Sequence, residues 1–205
     1  MAMRRSRTLT TMAIRQIQHY KEDLWVHEEF HPYAKDLNEK IIKESSDFRW
    51  FEHNDPLMKN IDGTFTNVKA LQTSGMPTKC GKNLSLLNEW ILNIISVKGL
   101  AGGINMFTPS IWLSRYNEGD FTVPHYHVPC SYAFVYFVKS PKGSSPLVLS
   151  TSGKKIKAEE GKVVIFPGFM RHHVPKNKCK DRITAAGNII PIGVVGPDQQ
   201  TLMLK

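Results

Sequence analysis

Four of the eight histidines fall in two segments that could together hold a metal ion. His125 and His127 are separated by one residue, and residues i and i+2 of an extended strand project from the same face. Their imidazoles would then reach one point. His172 follows a strand-like run that turns at Pro167 and Gly168, so a distant, facing strand could supply a third imidazole. Three protein ligands that leave other coordination positions open are typical of non-haem iron oxygenases.

The remaining histidines are given structural interpretations. His173 faces away from His172 if the segment is extended, which predicts a packing residue or a hydrogen-bond donor near the site, although the two could exchange roles. Four others lie in helical or loop sequence rich in Lys and Glu and are predicted to be solvated: His19, His27, His31 and His53.

An arginine and a threonine after His172 predict an anion site. Arg182 and Thr184 lie on a strand-like run at i, i+2 spacing, so they share a face with each other and, by our interpretation, with the metal. A buried guanidinium without a partner is costly, which makes an anionic ligand the economical explanation. A dicarboxylate would satisfy Arg182 through two hydrogen bonds, with a third from Thr184, while its keto-acid end chelates the metal.

The elements that must position these residues change character at about residue 105. A helix is predicted to open at His31 and Pro32, where apolar residues follow at helical spacing, and a stronger helix to run from Asn83 to Val97. Thr64–Gln72 has the composition of a flanking strand. The stripe of the second helix is interpreted as core: Leu87, Trp90, Ile91, Ile94 and Ile95.

Beyond residue 105 the sequence consists of short β-type runs separated by Gly, Pro, Ser and Asn. This spacing predicts a β-sandwich or jelly roll with N-terminal helices packed on the sheet, a mainly β fold of the α+β kind. We predict a basic disordered tail at residues 1–11 and one domain over 12–205, with helical cover at 12–105 and the core at 106–195. The runs are Ile111–Tyr116, Tyr132–Val138, Pro146–Thr151, Lys154–Ala158, Lys162–Phe166 and Arg182–Ile192.

Composition narrows the function classes. The chain has 205 residues, 41% of them hydrophobic and 22% charged, as expected of a globular protein, and no apolar run is long enough for a membrane span. Three separated cysteines predict neither a disulfide framework nor a cysteine zinc cluster, and favour the cytoplasm. The net charge of +9 comes from scattered Lys and Arg without a nucleic-acid-binding motif, so a nucleic-acid partner is not expected.

Over roughly residues 111–192 the sequence resembles the iron(II)- and 2-oxoglutarate-dependent dioxygenases, in particular the prolyl-hydroxylase-like branch. That family's pattern of H-x-(D/E), a distal His, and then an Arg followed by a hydroxyl residue is matched by His125, His127, His172, Arg182 and Thr184. The sequence around these residues is similar to uncharacterised members, some encoded by bacteriophages. The resemblance implies a double-stranded β-helix, iron(II), 2-oxoglutarate and dioxygen, with ascorbate as an optional addition, and a small-molecule or peptide substrate.

The resemblance also assigns tyrosines and reveals two departures. Tyr116 resembles a tyrosine that contacts 2-oxoglutarate in prolyl-hydroxylase-like members. Phe137 stands where related members often have a co-substrate-binding tyrosine, for which Tyr136 or Tyr132 could compensate. His127 replaces the usual carboxylate, so the ligands are three imidazoles unless an acid comes from the preceding loop. The two loop acids, Glu118 and Asp120, are more simply turn residues.

Three rival functions stay open. A cupin-type three-histidine dioxygenase that does not use 2-oxoglutarate fits the histidine spacing but lacks the usual cupin glutamate and leaves Arg182 unexplained. A non-catalytic jelly-roll module that binds a ligand or partner is favoured slightly by the charge. Zinc hydrolysis would need a general base, for which the sequence offers only Glu118 and Asp120.

Overall fold

Two antiparallel sheets form the core of the protein. The computed structural model describes residues 26–59, 66–75 and 81–192, so the predicted basic tail at 1–11 lies outside the described residues. The larger sheet contains, in spatial order, β1 (His27–Phe30), β10 (Lys162–Pro167), β7 (Tyr132–Lys139), β12 (Arg182–Pro191), β5 (Met106–Tyr116), β4 (Leu71–Thr73) and β2 (Trp50–Phe51). The smaller contains β3 (Val68–Lys69), β6 (Phe121–His125), β11 (His172–Val174), β8 (Leu147–Leu149) and β9 (Lys155–Ile156).

Two helices cover the larger sheet. They are α1 (Ala34–Glu44) and α2 (Lys82–Val97), and their apolar faces pack with one side of β5, β7, β10 and β12 in one hydrophobic cluster. The Glu44 carboxylate accepts hydrogen bonds from the backbone N–H of Asn83, so the end of α1 caps the start of α2. Two short 3-10 helices, Ser45–Asp47 and Pro56–Met58, follow α1. No helix in the described part of the chain is long and apolar enough to cross a membrane.

The central strands of the larger sheet are apolar on both faces because both of their faces are covered. In β10, Val163 and Ile165 belong to the cluster under the helices, whereas Val164 and Phe166 belong to a second cluster between the two sheets. A strand buried on both sides reads as a continuous apolar run rather than an alternating one. The predicted jelly roll with helices packed on one sheet is confirmed.

Both predicted helices are confirmed, with Pro32 just before α1 rather than in its first turn. The six predicted strands are observed with shifted ends; β5, for example, already begins at Met106. The flanking strand predicted over Thr64–Gln72 is instead two strands, β3 and β4, one in each sheet. Strand β1 contains His27, for which helix or loop was predicted, so the N-terminal part of the chain supplies sheet edges as well as helical cover.

Candidate metal centre

Three histidines converge at one end of the sandwich. His125 is the last residue of β6 and pairs directly with His172, the first residue of β11. His127 lies two positions beyond the end of β6. One ring nitrogen from each of the three histidines lies within 4.8 Å of the other two, so the side chains could hold one ion. The predicted trio is therefore brought together.

The route to this arrangement differs from the predicted one. His127 is not on a strand, so same-face strand geometry does not explain its position, and His172 lies on the neighbouring strand of the same sheet rather than on a facing strand. The His127 amide donates a 2.6 Å hydrogen bond to the Gly168 carbonyl oxygen, and the Gly168 amide donates to the Ser131 carbonyl oxygen. A Cβ on Gly168 would collide with the Cys130 carbonyl oxygen, so close contact between the two loops requires glycine.

Backbone carbonyls orient two of the imidazoles. His125 Nδ1 lies 2.8 Å from the Val123 carbonyl oxygen, and His172 Nδ1 lies 2.9 Å from that of Met170. A carbonyl oxygen only accepts, so Nδ1 carries the proton in both rings and Nε2 keeps its lone pair. Protein ligands to metals are commonly oriented by such an outer hydrogen bond.

Burial keeps the three imidazoles neutral. Burial lowers the pKa of His125, and it lowers that of His172 further, with an added contribution from His125. The pKa of His127 falls to about 4, first through burial and then through His125, while Asn188 acts in the opposite direction. Neutral imidazoles are the form that binds metal, so the site is ready for a cation at neutral pH.

We expect the free energy of unfolding of the metal-free protein to fall as the pH drops below about 6.5, the ordinary histidine pKa. The pKa of His127 is lowered to about 4 in the folded protein, whereas in the unfolded chain it is about 6.5. As the pH falls from about 6.5 towards 4, the unfolded chain binds a proton that the folded protein does not, and stability is lost. His127 alone should account for a loss of about 1.4 kcal/mol between roughly pH 7.5 and 5.5. Urea unfolding across this range tests it; an unchanged slope in His127→Gln would contradict the assignment.

Arg182 lies at the inner end of the same site. It is the first residue of β12, its side chain is 0% exposed, and none of its guanidinium nitrogens makes a hydrogen bond with a described residue. The guanidinium carbon lies 4.6 Å from the ring centre of Tyr116 and 5.6 Å from that of Phe137. Burial lowers the pKa of Arg182, and Tyr116 and Cys179 oppose that shift. The predicted buried, unpartnered arginine is thus present.

A small cavity of about 40 Å³ joins the histidines to Arg182. Thr184 lines it, as does Tyr116, whose hydroxyl lies 2.8 Å from that of Thr122. Thr122 and Ser114 are buried cavity residues that sequence reasoning missed. The sequence marks Ser114 and Thr122 only as polar residues within strand-forming segments, which does not by itself indicate a site.

Tyr136 does not reach this cavity. Its hydroxyl donates to the Asn38 side chain of α1, and its ring belongs to the cluster under the helices. The prediction that Tyr136 binds the co-substrate is therefore wrong, because Tyr136 projects from the opposite face of β7. Tyr132 does not compensate either, since its hydroxyl donates to the Leu100 carbonyl oxygen.

The nearby acids and the fourth histidine have structural partners. The Asp120 carboxylate accepts a 2.7 Å hydrogen bond from the backbone N–H of Asn117, as a turn residue does. Within the described residues, no carboxylate joins the three-histidine group, so neither Asp120 nor Glu118 supplies an acidic ligand. His173 Nδ1 lies 2.9 Å from the Ser150 hydroxyl, outside the group.

The N-terminal histidines are less exposed than predicted. His27 pairs with Glu29 at 2.9 Å, and the His31 ring lies 4.7 Å from that of Trp90. Both are half-buried, as is His53, and His19 lies outside the described residues. Gly75 lies against the half-buried ring of Trp112, which lines the cavity.

Comparison with known proteins finds likeness in structure but not in sequence. No family model matches the chain, and no curated protein matches it. A viral collagen prolyl hydroxylase from Paramecium bursaria Chlorella virus-1, solved with 2-oxoglutarate, aligns with a TM-score of 0.61 at 13% identity over 80% of this chain and 95% of that one.

Two further structures align comparably. A Pseudomonas putida prolyl-4-hydroxylase has a TM-score of 0.61 at 12% identity, over 81% of this chain and 92% of its own. A Burkholderia pseudomallei oxidoreductase of the 2OG-Fe(II) oxygenase family has a TM-score of 0.57 at 12% identity, over 82% and 86%. The chain thus has the double-stranded β-helix fold of the 2-oxoglutarate- and iron(II)-dependent oxygenases, in the form found in prolyl hydroxylases.

Proposed function

We propose that this protein is an iron(II)- and 2-oxoglutarate-dependent dioxygenase that hydroxylates a prolyl or other amino-acyl side chain. One observation carries the proposal: a fully buried guanidinium without a hydrogen-bond partner among the described residues shares a cavity with three convergent, neutral imidazoles. The buried guanidinium requires an anionic partner, and the three neutral imidazoles are suited to bind a cation. A keto acid with a remote carboxylate satisfies both.

The histidines fit a divalent iron ion. His125 and His172 present bare Nε2 atoms, and imidazole nitrogen is a suitable ligand for iron. Three neutral ligands leave the ion one unit more positive than two histidines and a carboxylate would. A chelating keto acid is anionic and offsets part of that charge. His125, His127 and His172 are therefore the proposed ligands.

The inner end of the cavity fits a carboxylate. Arg182 offers a planar fork of N–H donors, and Thr184 and Tyr116 add hydroxyl groups on the same cavity wall. In this low-dielectric environment, two charge-assisted hydrogen bonds from Arg182 to a carboxylate would offset the free-energy cost of burying the guanidinium. We assign Arg182, Thr184 and Tyr116 to 2-oxoglutarate.

The protein's part in the reaction is binding, orientation and exclusion of water. A bound iron(II) ion would supply the activation of dioxygen that couples conversion of 2-oxoglutarate to succinate and CO2 with hydroxylation of a C–H bond. Arg182 would fix one end of the co-substrate, and the buried walls would keep bulk water out. Trp112 lines the same cavity, with its ring centre 6.3 Å from that of His127, and we assign it a contact with the substrate.

Two features bear on substrate and compartment. A prolyl hydroxylase from Trichoplax adhaerens, solved with a peptide of hypoxia inducible factor, aligns with a TM-score of 0.61 at 10% identity over 88% of this chain and 87% of that one. This likeness supports a peptide as the proposed substrate.

Cys130 and Cys179 are free thiols, which supports the cytoplasm as the proposed compartment.

Anaerobic titration of the iron(II)-loaded protein with 2-oxoglutarate tests the proposal. We expect a visible charge-transfer band to appear as the keto acid chelates the metal. Succinate, which lacks the keto group, is the matched control and should give no band. Iron binding without a band at saturating 2-oxoglutarate would contradict the proposed function.

A second function is favoured by one residue. His127 stands where most 2-oxoglutarate-dependent enzymes have a carboxylate, and three-histidine sites occur in cupin-type dioxygenases that do not use this co-substrate. Tight iron(II) binding that 2-oxoglutarate leaves unchanged would select this alternative. Arg182 argues against it, because a plain three-histidine site provides no partner for the buried guanidinium.

A further inference from the structure

Exposed apolar side chains are concentrated at the histidine end of the sandwich. Tyr126 and Val128 alternate along the chain with the proposed ligands His125 and His127, and they are 61% and 59% exposed. Phe169, in the turn after β10, is 60% exposed. Six of the eleven exposed large apolar residues in the described part of the chain form this apolar rim: Ile104, Phe107, Tyr126, Val128, Phe169 and Ile192. Apolar residues that cluster in water in this way are typical of a binding surface.

Backbone contacts fix two loops of the apolar rim against each other. The turn Pro167–Met170 presents Phe169 and is closed by a 3.0 Å hydrogen bond between the backbone groups of its end residues. The loop 126–131 lies against this turn, because the His127 amide donates to the Gly168 carbonyl oxygen. The exposed side chains of the loop and of the turn therefore belong to one surface beside the metal position.

The larger sheet brings further apolar residues to the same end. Tyr132, the first residue of β7, pairs with Pro167 at the end of β10 and with Ile189 near the end of β12. Strand β5 begins beside them, with Phe107 opposite Ile190. The apolar rim is thus continuous with the cavity, which opens between the two sheets at this end.

The apolar rim carries almost no charge. The described segments that form this end are residues 101–107, 123–133, 167–172 and 188–192, and Arg171 is the one Lys, Arg, Asp or Glu among them. The whole chain is 22% charged and has a net charge of +9, so its basic residues lie elsewhere. A charged group covered by the apolar rim would lose its hydration and gain no partner, which selects for an uncharged ligand.

The same chemistry narrows what covers the apolar rim. An anionic membrane surface or a nucleic acid requires clustered Lys and Arg, and a single Arg171 does not provide them. A second copy of the chain would block the approach to the metal from this end, and the inner end of the cavity is closed by the fully buried Arg182. A peptide that lies across the apolar rim covers its side chains and still directs one residue towards the metal.

We propose that the apolar rim is the docking surface for the substrate, and that the substrate is an uncharged peptide segment with large apolar side chains next to the hydroxylated residue. The inference rests on the proposed function and adds the chemistry of the residues on either side of the target. Tyr126 and Phe169 supply much of the binding, because aromatic side chains contribute most at surfaces of this kind.

An array of synthetic nonapeptides tests the specificity. The central residue is any of the twenty amino acids, and the flanking residues are apolar, acidic or basic. We expect the Mn(II)-loaded full-length protein to bind peptides of the apolar set, with affinities at least about 10-fold above those of the charged sets. Absence of binding to the apolar set, or tighter binding to a charged set, would overturn the proposal.

Phe169→Ser distinguishes docking from adhesion to apolar peptides in general. We expect this variant to bind the best peptide of the array about 10-fold or more weakly, with Mn(II) affinity unchanged. Tyr33→Ser is the matched control: Tyr33 is 74% exposed but lies near the start of β10, whereas the apolar rim lies at its end. Equal peptide affinities in wild type and Phe169→Ser, or an equal loss in Tyr33→Ser, would refute the assignment.

The other occupants give different results. A wild-type dimer in sedimentation velocity that Phe169→Ser abolishes would overturn the proposal in favour of a second copy of the chain. Binding to uncharged phosphatidylcholine vesicles that the same variant loses would overturn it in favour of a membrane. The two proposals also fail separately. Peptide binding without a 2-oxoglutarate charge-transfer band contradicts only the proposed function, and a band without preference for apolar peptides contradicts only the docking surface.

Discussion

Arg182→Met should weaken 2-oxoglutarate binding by about 100-fold or more and, in the same variant, raise the stability of the free protein. Hydrogen bonds to charged groups contribute about 1.5–3 kcal/mol each, and the proposed clamp loses two. In the free protein the guanidinium is fully buried and makes no hydrogen bond with a described residue, so an apolar side chain of similar length removes a desolvation cost. Each kcal/mol gained should raise the Tm by about 2–4 °C.

Calorimetric titration of the Mn(II)-loaded protein and thermal unfolding of the free protein measure the two effects. Arg182→Lys is the matched control, since it keeps the charge but loses the planar fork, and it should fall between the wild type and Arg182→Met in affinity. Weakened binding together with a lower Tm would indicate that Arg182 has a structural role instead. Unchanged 2-oxoglutarate affinity in Arg182→Met would remove the clamp from the proposal.

His172→Ala should reduce iron(II) affinity by more than the 10–100-fold that loss of an outer hydrogen-bond partner typically costs. His172 is buried, pairs with His125 across two strands and belongs to the three-nitrogen group. Removing it leaves two imidazoles, too few to hold the ion in one geometry. Competition with a chromogenic chelator measures the change.

The chain supplies a matched control one residue away. His173 has the same chemistry and lies on the same short strand, but it contacts the Ser150 hydroxyl and is not part of the group. His173→Ala should therefore leave iron(II) affinity within about twofold of the wild type, as expected of a residue outside the ligand set. A loss in His173→Ala as large as that in His172→Ala would show that the two histidines exchange roles.

The helices and most strands were predictable because their signals are local. The stripe from Leu87 to Ile95 predicted α2 to within one residue of its observed start at Lys82. The burial of Arg182 was also predictable, because Arg182 and Thr184 share the strand face that was expected to line the metal pocket. Strand β1 was not predictable, because it has only four residues and two of them, Glu28 and Glu29, are poor strand formers.

The local sequence predicts only part of the site. His127 reaches the metal position through a hydrogen bond to Gly168, a residue about forty positions away, and no spacing rule encodes that contact. Tyr136 was misplaced because β7 is apolar on both sides, so its sequence does not show which alternate residues face the cavity. Thr122 and Ser114 carry no motif, and their place in the cavity wall appears only once the sheets are assembled.

Strand β12 places a constraint on how this protein can change over evolution. It lies between β5 and β7 and alternates between cavity residues, such as Arg182 and Thr184, and residues under the helices, such as Ile183 and Ala185. Insertion or deletion of one residue would exchange the two sets and bury the guanidinium among apolar side chains. Descendants of this sequence can therefore vary β12 by substitution, whereas length changes must accumulate in the connecting loops.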